Sequence, residues 1–297
     1  MDSSWALKIP AEFAAGVVGH TGDAGRAWLR DLPSLALQLL ERWDLQPDGS
    51  PMHGYLGLVL PVRQGALPGA LKISQVTPET LNQAAALDAW DGRGMVQLLD
   101  SSPAEGALLL ERLDYTRALE HLPILKAVPA AGLLLRRLSL PSSASLPTLT
   151  DHVAGWPERW AAGASDLLPH RYFQAAHETC RALGPQAGRL LVDHDLHYAN
   201  VLAGEREPWL AVDPRGLLGD PEFALAPLMW RRFDEMPIAQ RFDLLVESAE
   251  LDRDRARGWL LVRAFDYFLW STGIGLTWDP AACREILDWL LAQRIGG

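Results

Sequence analysis

Along the first half of the chain, apolar and polar positions alternate mostly with the short period of strands. The exception near the start is SLALQLLERW (34–43), which has the longer period of an amphipathic helix and ends at QPDGSP. GYLGLVLPVR (54–63) and ALKIS (70–74) are rich in β-forming residues, and the RQGALPG turn between them predicts an antiparallel hairpin. Thr77-Pro78-Glu79 gives an N-cap, a first-turn proline and a first-turn acid, so a helix is expected from Pro78 to Trp90, stopped by DGRG. MVQLLD (95–100) and ALLLERL (107–113) read as two further strands around SSPAEG. The predicted order is strand, strand, helix, strand, strand.

The second half is mostly helical. The period predicts helices over Ala130–Leu138, Leu149–Ala162, Pro169–Leu183, Glu222–Phe233, Pro237–Ala249, Arg253–Ser271 and Pro280–Arg294. Three short strand-like runs interrupt them: RLLVD (189–193), NVLAG (200–204) and PWLAVD (208–213). The picture is α+β, a small sheet lobe over residues 1–112 followed by a helical lobe over 113–297. A length of 297 residues fits two such parts.

Charge narrows the function classes. Asp and Glu number 37 against 27 Lys and Arg, a net charge of −10. Such a surface repels nucleic-acid phosphates and favours a small, possibly cationic, partner. No apolar run approaches the ~20 residues that span a bilayer, and MDSSWALKIP lacks the layout of a signal peptide. No membrane contact and a cytoplasmic location are therefore expected. Cys180 and Cys283 are too few for a four-thiolate zinc site or a disulfide framework.

The stretch 191–228 carries the chemistry. Asp195 is followed five positions later by Asn200, and Asp213 ends the next apolar strand. Phosphoryl transfer uses such a set: one carboxylate to take the proton of the attacking hydroxyl, and an amide oxygen with a second carboxylate to hold Mg²⁺. Hard oxygen donors suit Mg²⁺, and the His194–His197 pair has no third ligand of matching type at a useful spacing for zinc. In the sheet half, Lys72 is one of only three lysines in the chain and lies inside an apolar strand, where an ammonium is costly unless it meets an anion. A lysine on a strand reaching nucleotide phosphates is the kinase arrangement. Gly57 in YLGLVLPV does not build a G-x-G-x-x-G loop, so a plainer hairpin is expected there.

With these residues in view, segment 191–228 resembles the aminoglycoside phosphotransferases, and DLHYANVL and REPWLAVDPRGLLGDPEF look like the loops of the streptomycin 6-kinase and hydroxyurea-resistance kinase branch. ALDAWDGRGMVQLLDSSPAEGALLLERLD (86–114) is similar to that branch's first lobe and hinge. The resemblance implies a bilobal protein-kinase-like fold and transfer of the γ-phosphate of ATP, with Mg²⁺, to a hydroxyl of a small polar molecule such as an aminoglycoside-type antibiotic or hydroxyurea. It implies Asp195 as catalytic base, Asn200 and Asp213 as Mg²⁺ ligands and Lys72 as the phosphate-binding lysine. Glu111 to Leu113 fall at the hinge, where backbone groups meet adenine, and Asp220 falls where a loop-bracing acid stands.

The departures are specific. Asp193-His194 stands where the family has His-Gly, Arg215 replaces a lysine, and Ala224 replaces an acid. The glutamate that pairs with the strand lysine falls on Gln83, and Glu79, one turn earlier, is expected to take over the pairing. Asp234, Glu235 and Asp266 on the late helices are candidates to receive a cationic amino sugar. Two alternatives stay open: a metabolic sugar or amino-sugar kinase, and a decayed nucleotide-binding module that acts by binding.

Overall fold

The structure is a computed structural model that describes residues 7–163 and 167–294. The chain divides into two compact units. One runs to Gly92 and adds Val96–Leu113, and the other takes Arg93–Met95 and the chain from Asp114 onward.

The first unit packs a long helix, α1 (Ala11–Arg42), on an antiparallel sheet. Its strands are β1 (Gln46–Pro47), β2 (Met52–His53), β3 (Gly57–Gln64) and β4 (Leu67–Ser74), then, after helix α2 (Pro78–Trp90), β5 (Leu98–Ser102) and β6 (Ala107–Glu111). They lie in the order β1-β3-β4-β6-β5, with β2 also paired to β3. The 54–63 and 70–74 runs form the expected hairpin, β3 against β4. Helix α2 starts and ends where the sequence puts it. Thr77 Oγ1 accepts the Thr80 N–H at 3.2 Å, and Thr80 Oγ1 accepts the Thr77 N–H at 2.8 Å. The reciprocal cap satisfies two N–H groups that the first turn leaves without intrahelical partners.

Helix α1 begins far ahead of Ser34. Its glycines and Pro33 disguise it: Gly22 has φ 59° and ψ −126°, a kink that interrupts the period. Phe13, Val17, Leu32, Ala36 and Leu39 are nonetheless buried together against Leu58, Leu60, Leu71 and Ile73 of the sheet. Tertiary burial, worth roughly 1.5–3 kcal/mol per large apolar side chain, outweighs poor local propensity.

The second unit opens on β7 (Asp114–Ala118), a strand whose exposed polar run carries no apolar alternation. It continues through α3 (Ile124–Leu138), β8 (Leu140–Pro141), α4 (Leu149–Val153), α5 (Trp156–Gly163) and α6 (His170–Leu183). Then come β9 (Leu190–Asp193), β10 (Val201–Ala203), β11 (Leu210–Ala211), β12 (Gly216–Gly219), α7 (Pro221–Ala224) and α8 (Ala226–Trp230). Helices α9 (Ile238–Ala249), α10 (Arg253–Gly273) and α11 (Trp278–Arg294) close the unit. The expected single helix over 222–233 is broken into α7 and α8, because Pro227 follows too closely for one continuous ladder. Two three-stranded ribbons, β11-β10-β7 and β12-β9-β8, are embedded among the helices. No helix among the described residues is long and apolar enough to cross a membrane.

Candidate active site

Strand pairing brings the candidate loops together. β9 pairs with β12 so that Asp193 faces Gly216, and β10 pairs with β11 so that Val201 faces Ala211. Asp195 lies two residues past the end of β9, Asn200 just ahead of β10, and Asp213 just past β11. A further bond joins the last two: the Val212 N–H donates to the Asn200 carbonyl at 2.8 Å. Asp213 then turns with φ 53°, a left-handed conformation that few residues other than Gly, Asn and Asp tolerate. Its side chain is exposed.

Asp193 ties the Asp195 loop to the Arg215 loop from a buried position. It is 2% exposed, and its Oδ1 accepts N–H groups from Asp195 at 3.1 Å and Arg215 at 2.9 Å. The His194 N–H donates back to the Arg215 carbonyl at 3.1 Å, which completes a two-way clamp between the loops. Burial raises the Asp193 carboxyl to about 7, with the Arg215 N–H bond opposing and the neighbouring Asp195 charge adding to the rise. Its Oδ2 is buried and has no hydrogen-bond partner among the described residues. An acid here therefore works mainly as a hydrogen-bond acceptor that resists ionisation.

Above the clamp, the Arg215 guanidinium stands 3.6 Å from Asp195 Oδ2, and both are partly exposed. Arg263 supports the loop from α10, donating from Nη1 to the carbonyls of His194 at 2.9 Å and Phe223 at 3.3 Å. His194 and His197 have pKa values lowered first by withdrawal from water, so both rings are neutral at pH 7. Asp220 braces a neighbouring loop: its carboxylate accepts Gly188 N–H at 2.7 Å, Trp259 Nε1–H at 2.6 Å and Arg255 Nε–H at 2.7 Å.

As to a metal, no group of three His, Cys, Asp or Glu side chains among the described residues is arranged to hold one. One amide and one exposed carboxylate on joined loops make a different donor set. It consists of hard oxygens and leaves the remaining positions to water and phosphate, which is how Mg²⁺ is bound.

In the sheet unit, β4 is an interior strand between β3 and β6, and Lys72 on it is 7% exposed. Its Nζ donates to Gln83 Oε1 of α2 at 2.9 Å. The Gln83 amide thus accepts from the lysine at the position where the family's glutamate falls, and Glu79, one turn earlier, lies at an exposed position of α2. Gly57 pairs with Ser74 across the hairpin, and a Cβ there would meet Ser74 Oγ at 2.9 Å and Lys72 Cε at 3.0 Å. Glycine is needed there for the lysine's passage, without any glycine-rich loop. Glu111 ends β6; its N–H donates to the Gln97 carbonyl at 3.0 Å, and its Oε1 accepts the Gln97 N–H at 2.9 Å. Arg112 and Leu113 follow as the last residues of this unit.

Two of the three acids named for a cationic acceptor are paired with arginines, and Asp234 is exposed. Asp266 accepts Trp160 Nε1–H at 2.8 Å and pairs with Arg159, while Glu235 holds the Arg232 guanidinium through both oxygens, at 2.7 and 2.5 Å. Sequence reasoning missed the surroundings of Asp195 on the helices. A cavity of about 700 Å³ lies against Asp195, walled by aromatic and arginine side chains from α5, α8 and α10. The i, i+3 spacing of Tyr267 and Trp270 was the legible signal for it.

A family model described as aminoglycoside/hydroxyurea antibiotic resistance kinase matches residues 42–275. The chain is 38% identical to a streptomycin 6-kinase of Streptomyces glaucescens, with 100% of each chain covered. It is 41% identical to a hydroxyurea phosphotransferase of Kitasatospora aureofaciens over 97% of this chain and 87% of that one. Among solved structures, an aminoglycoside phosphotransferase in ternary complex with AMP-PNP and hygromycin B is similar with a TM-score of 0.62 at 17% identity, covering 88% of this chain and 99% of that one. A choline kinase of Streptococcus pneumoniae is similar with a TM-score of 0.56 at 11% identity, covering 87% and 99%. The fold is thus kinase-like, as the resemblance implied.

Proposed function

The chain belongs to the aminoglycoside/hydroxyurea antibiotic resistance kinases and is a small-molecule phosphotransferase, and from that premise we propose how its residues divide the work. The reaction moves the γ-phosphoryl of ATP to a hydroxyl of a small polar acceptor, an aminoglycoside or hydroxyurea by analogy with what the relatives' names state. The observation that carries this reading is the joining of the Asp195, Asn200 and Asp213 loops by the β9–β12 and β10–β11 ladders and the Val212–Asn200 bond.

Asp195 accepts the acceptor's hydroxyl proton as that oxygen bonds to the γ-phosphorus and the bond to the ADP oxygen breaks. Asn200 and Asp213 would hold Mg²⁺, which supplies neutralisation of the phosphate charge when bound. Arg215, beside Asp195, offers its remaining guanidinium N–H groups to the transferring phosphoryl oxygens. Lys72, held by Gln83, meets the nucleotide phosphates, and the Glu111–Leu113 backbone meets adenine. A cytoplasmic location fits an ATP-consuming enzyme.

The sugar-kinase alternative shares this chemistry and differs only in the acceptor. The decayed-module alternative is favoured by one observation, the neutral Gln83 where a carboxylate would assist the lysine. Measuring ADP release with Mg·ATP across aminoglycosides, amino sugars and hydroxyurea separates them. Acceptor-dependent ADP release is expected. Nucleotide binding without release for any acceptor would instead select the binding module.

A further inference from the structure

The cavity beside Asp195 lies wholly within the helical unit, and the charges around it largely pair off. Arg159 pairs with Asp266, Arg215 stands 3.6 Å from Asp195, and Arg231 stands 3.6 Å from Asp279. The fourth arginine of the wall, Arg263, donates to the carbonyls of His194 and Phe223. Asp266 uses Oδ1 for both of its hydrogen bonds, from Trp160 Nε1–H at 2.8 Å and from the Arg159 guanidinium. Among the described residues none donates a hydrogen bond to its Oδ2. Trp160 is 1% exposed and fixes the carboxylate from a buried position, whereas the Arg159 side chain is 57% exposed. An ion pair so open to water holds its partners weakly, so a cation that enters the cavity can share the carboxylate or take it over.

Two indoles of the same wall already carry guanidinium groups of the chain. Arg159 lies over Trp156, 5.4 Å from the ring centroid, and Arg263 lies over Trp230 at 5.5 Å. Trp270 offers the same kind of platform. Trp230 and Tyr267 stack at 4.5 Å with an interplanar angle of 6°, and Trp270 continues the stack at 5.3 Å and 28°. Trp270 is 50% exposed, and among the described residues no Arg or Lys lies over its ring. Asp266 and Trp270 stand four positions apart on α10, a spacing that puts two side chains on one helix face with roughly 5–6 Å between Cβ atoms. A carboxylate beside an open indole is complementary to a planar cation: the ring face attracts the charge, and the carboxylate accepts its N–H groups.

Resting on the phosphotransferase reading above for the ligand being the acceptor, we propose that Asp266 and Trp270 form the seat for a cationic group of that acceptor, a guanidinium above all. The group lies on the open face of Trp270 and donates to Asp266 Oδ2. A guanidinium fits this seat better than an ammonium because it is planar, more weakly hydrated and presents its N–H donors side by side. Both residues share the cavity wall with Asp195, so a cation held there anchors the acceptor while one of its hydroxyls meets the base. The net charge of −10 draws such acceptors towards the protein, and the seat gives them a fixed position.

The test measures binding by calorimetry and turnover by ADP release, at pH 7 with the full chain. Three probes share one ring: streptidine carries guanidinium groups, streptamine carries ammonium groups in their place, and scyllo-inositol carries hydroxyls alone. Streptidine is expected to bind about fivefold or more tightly than streptamine, and scyllo-inositol more weakly than both. Trp270→Leu keeps apolar bulk without a ring face and should weaken streptidine about tenfold, a loss that Trp270→Phe should mostly recover. Asp266→Asn keeps an acceptor for Trp160 and removes the charge, so it should weaken both cationic probes about tenfold and leave scyllo-inositol within about twofold. Mg·ATP binding as tight as that of the wild type shows that each variant is folded. Scyllo-inositol or hydroxyurea binding as tightly as streptidine overturns the proposal. So does a streptidine affinity that either Trp270→Leu or Asp266→Asn leaves within about twofold of the wild type. Failure of the underlying reading is seen separately, as absence of ADP release with every acceptor while these differences in binding persist.

Discussion

At the scale of single residues, the lysine and the buried acid are the sharpest features. Gln83 accepts from Lys72 without the charge assistance a carboxylate gives. Gln83→Leu keeps the volume but leaves a buried ammonium without this acceptor, so nucleotide affinity and turnover should each fall about tenfold or more. Glu79→Gln should change both less than threefold. Steady-state kinetics with Mg·ATP decides, and a larger loss from Glu79→Gln than from Gln83→Leu would make Glu79 the main partner. Asp193 makes a pH-dependent prediction. Its folded carboxyl is raised to about 7, so the proton is held more tightly in the folded than in the unfolded chain. Stability from this group is full below about pH 4 and is lost as pH rises towards and through 7. Asp193→Asn keeps an oxygen acceptor for the Asp195 and Arg215 N–H groups and cannot ionise. Its Tm relative to wild type should therefore rise from pH 5 to pH 8. A difference that does not vary with pH would mean that Asp193 titrates normally. Asp213→Ala should weaken nucleotide binding in Mg²⁺ and much less in EDTA, because its carboxylate is proposed to act only through the metal. Equal losses in calorimetry under both conditions would remove it from that role.

At the scale of elements, packing decides more than propensity. Helices α3 and α9 cross where a Cβ on Gly132 would meet Ser248 Oγ at 1.9 Å and Ser248 Cβ at 2.9 Å. Gly132→Ala should destabilise the helical unit by about 1–3 kcal/mol, since the crossing must open to admit the methyl. Thermal melting checks it, and Ser248→Gly in the same chain should recover part of the loss. The same preference for packing explains what the sequence concealed. The β3–β4 hairpin and α2 were legible because turn residues and the Thr77 cap are local signals. The first 23 residues of α1 were not, because Gly22 and Pro33 look like stops and only contacts with the sheet override them. β12 was hidden too: the run Gly216–Gly219 has too few apolar side chains to alternate, and it is a strand because β9 lies beside it.

At the scale of the molecule, the Asp195, Asn200 and Asp213 spacing was readable since all three lie within 19 positions along the chain, each at a strand end. The cavity beside Asp195 was not, because its aromatic and arginine side chains come from helices far apart in sequence. The surroundings of Asp266 were hidden for a related reason: it lies on that cavity wall and meets Arg159, 107 positions away, a pairing no local pattern encodes. Whole-chain charge does not describe the cavity, since a net −10 coexists with a wall that carries four arginines and two carboxylates.

The central claim is that Asp195 is the base of a phosphoryl transfer. Its most direct measurement compares wild type and Asp195→Asn in single-turnover transfer of the γ-phosphoryl to the best acceptor, alongside Mg·ATP affinity. The account predicts a rate lower by about 10²–10⁴-fold in the variant, with nucleotide affinity within about threefold of wild type. A variant that transfers phosphoryl at close to the wild-type rate would contradict it.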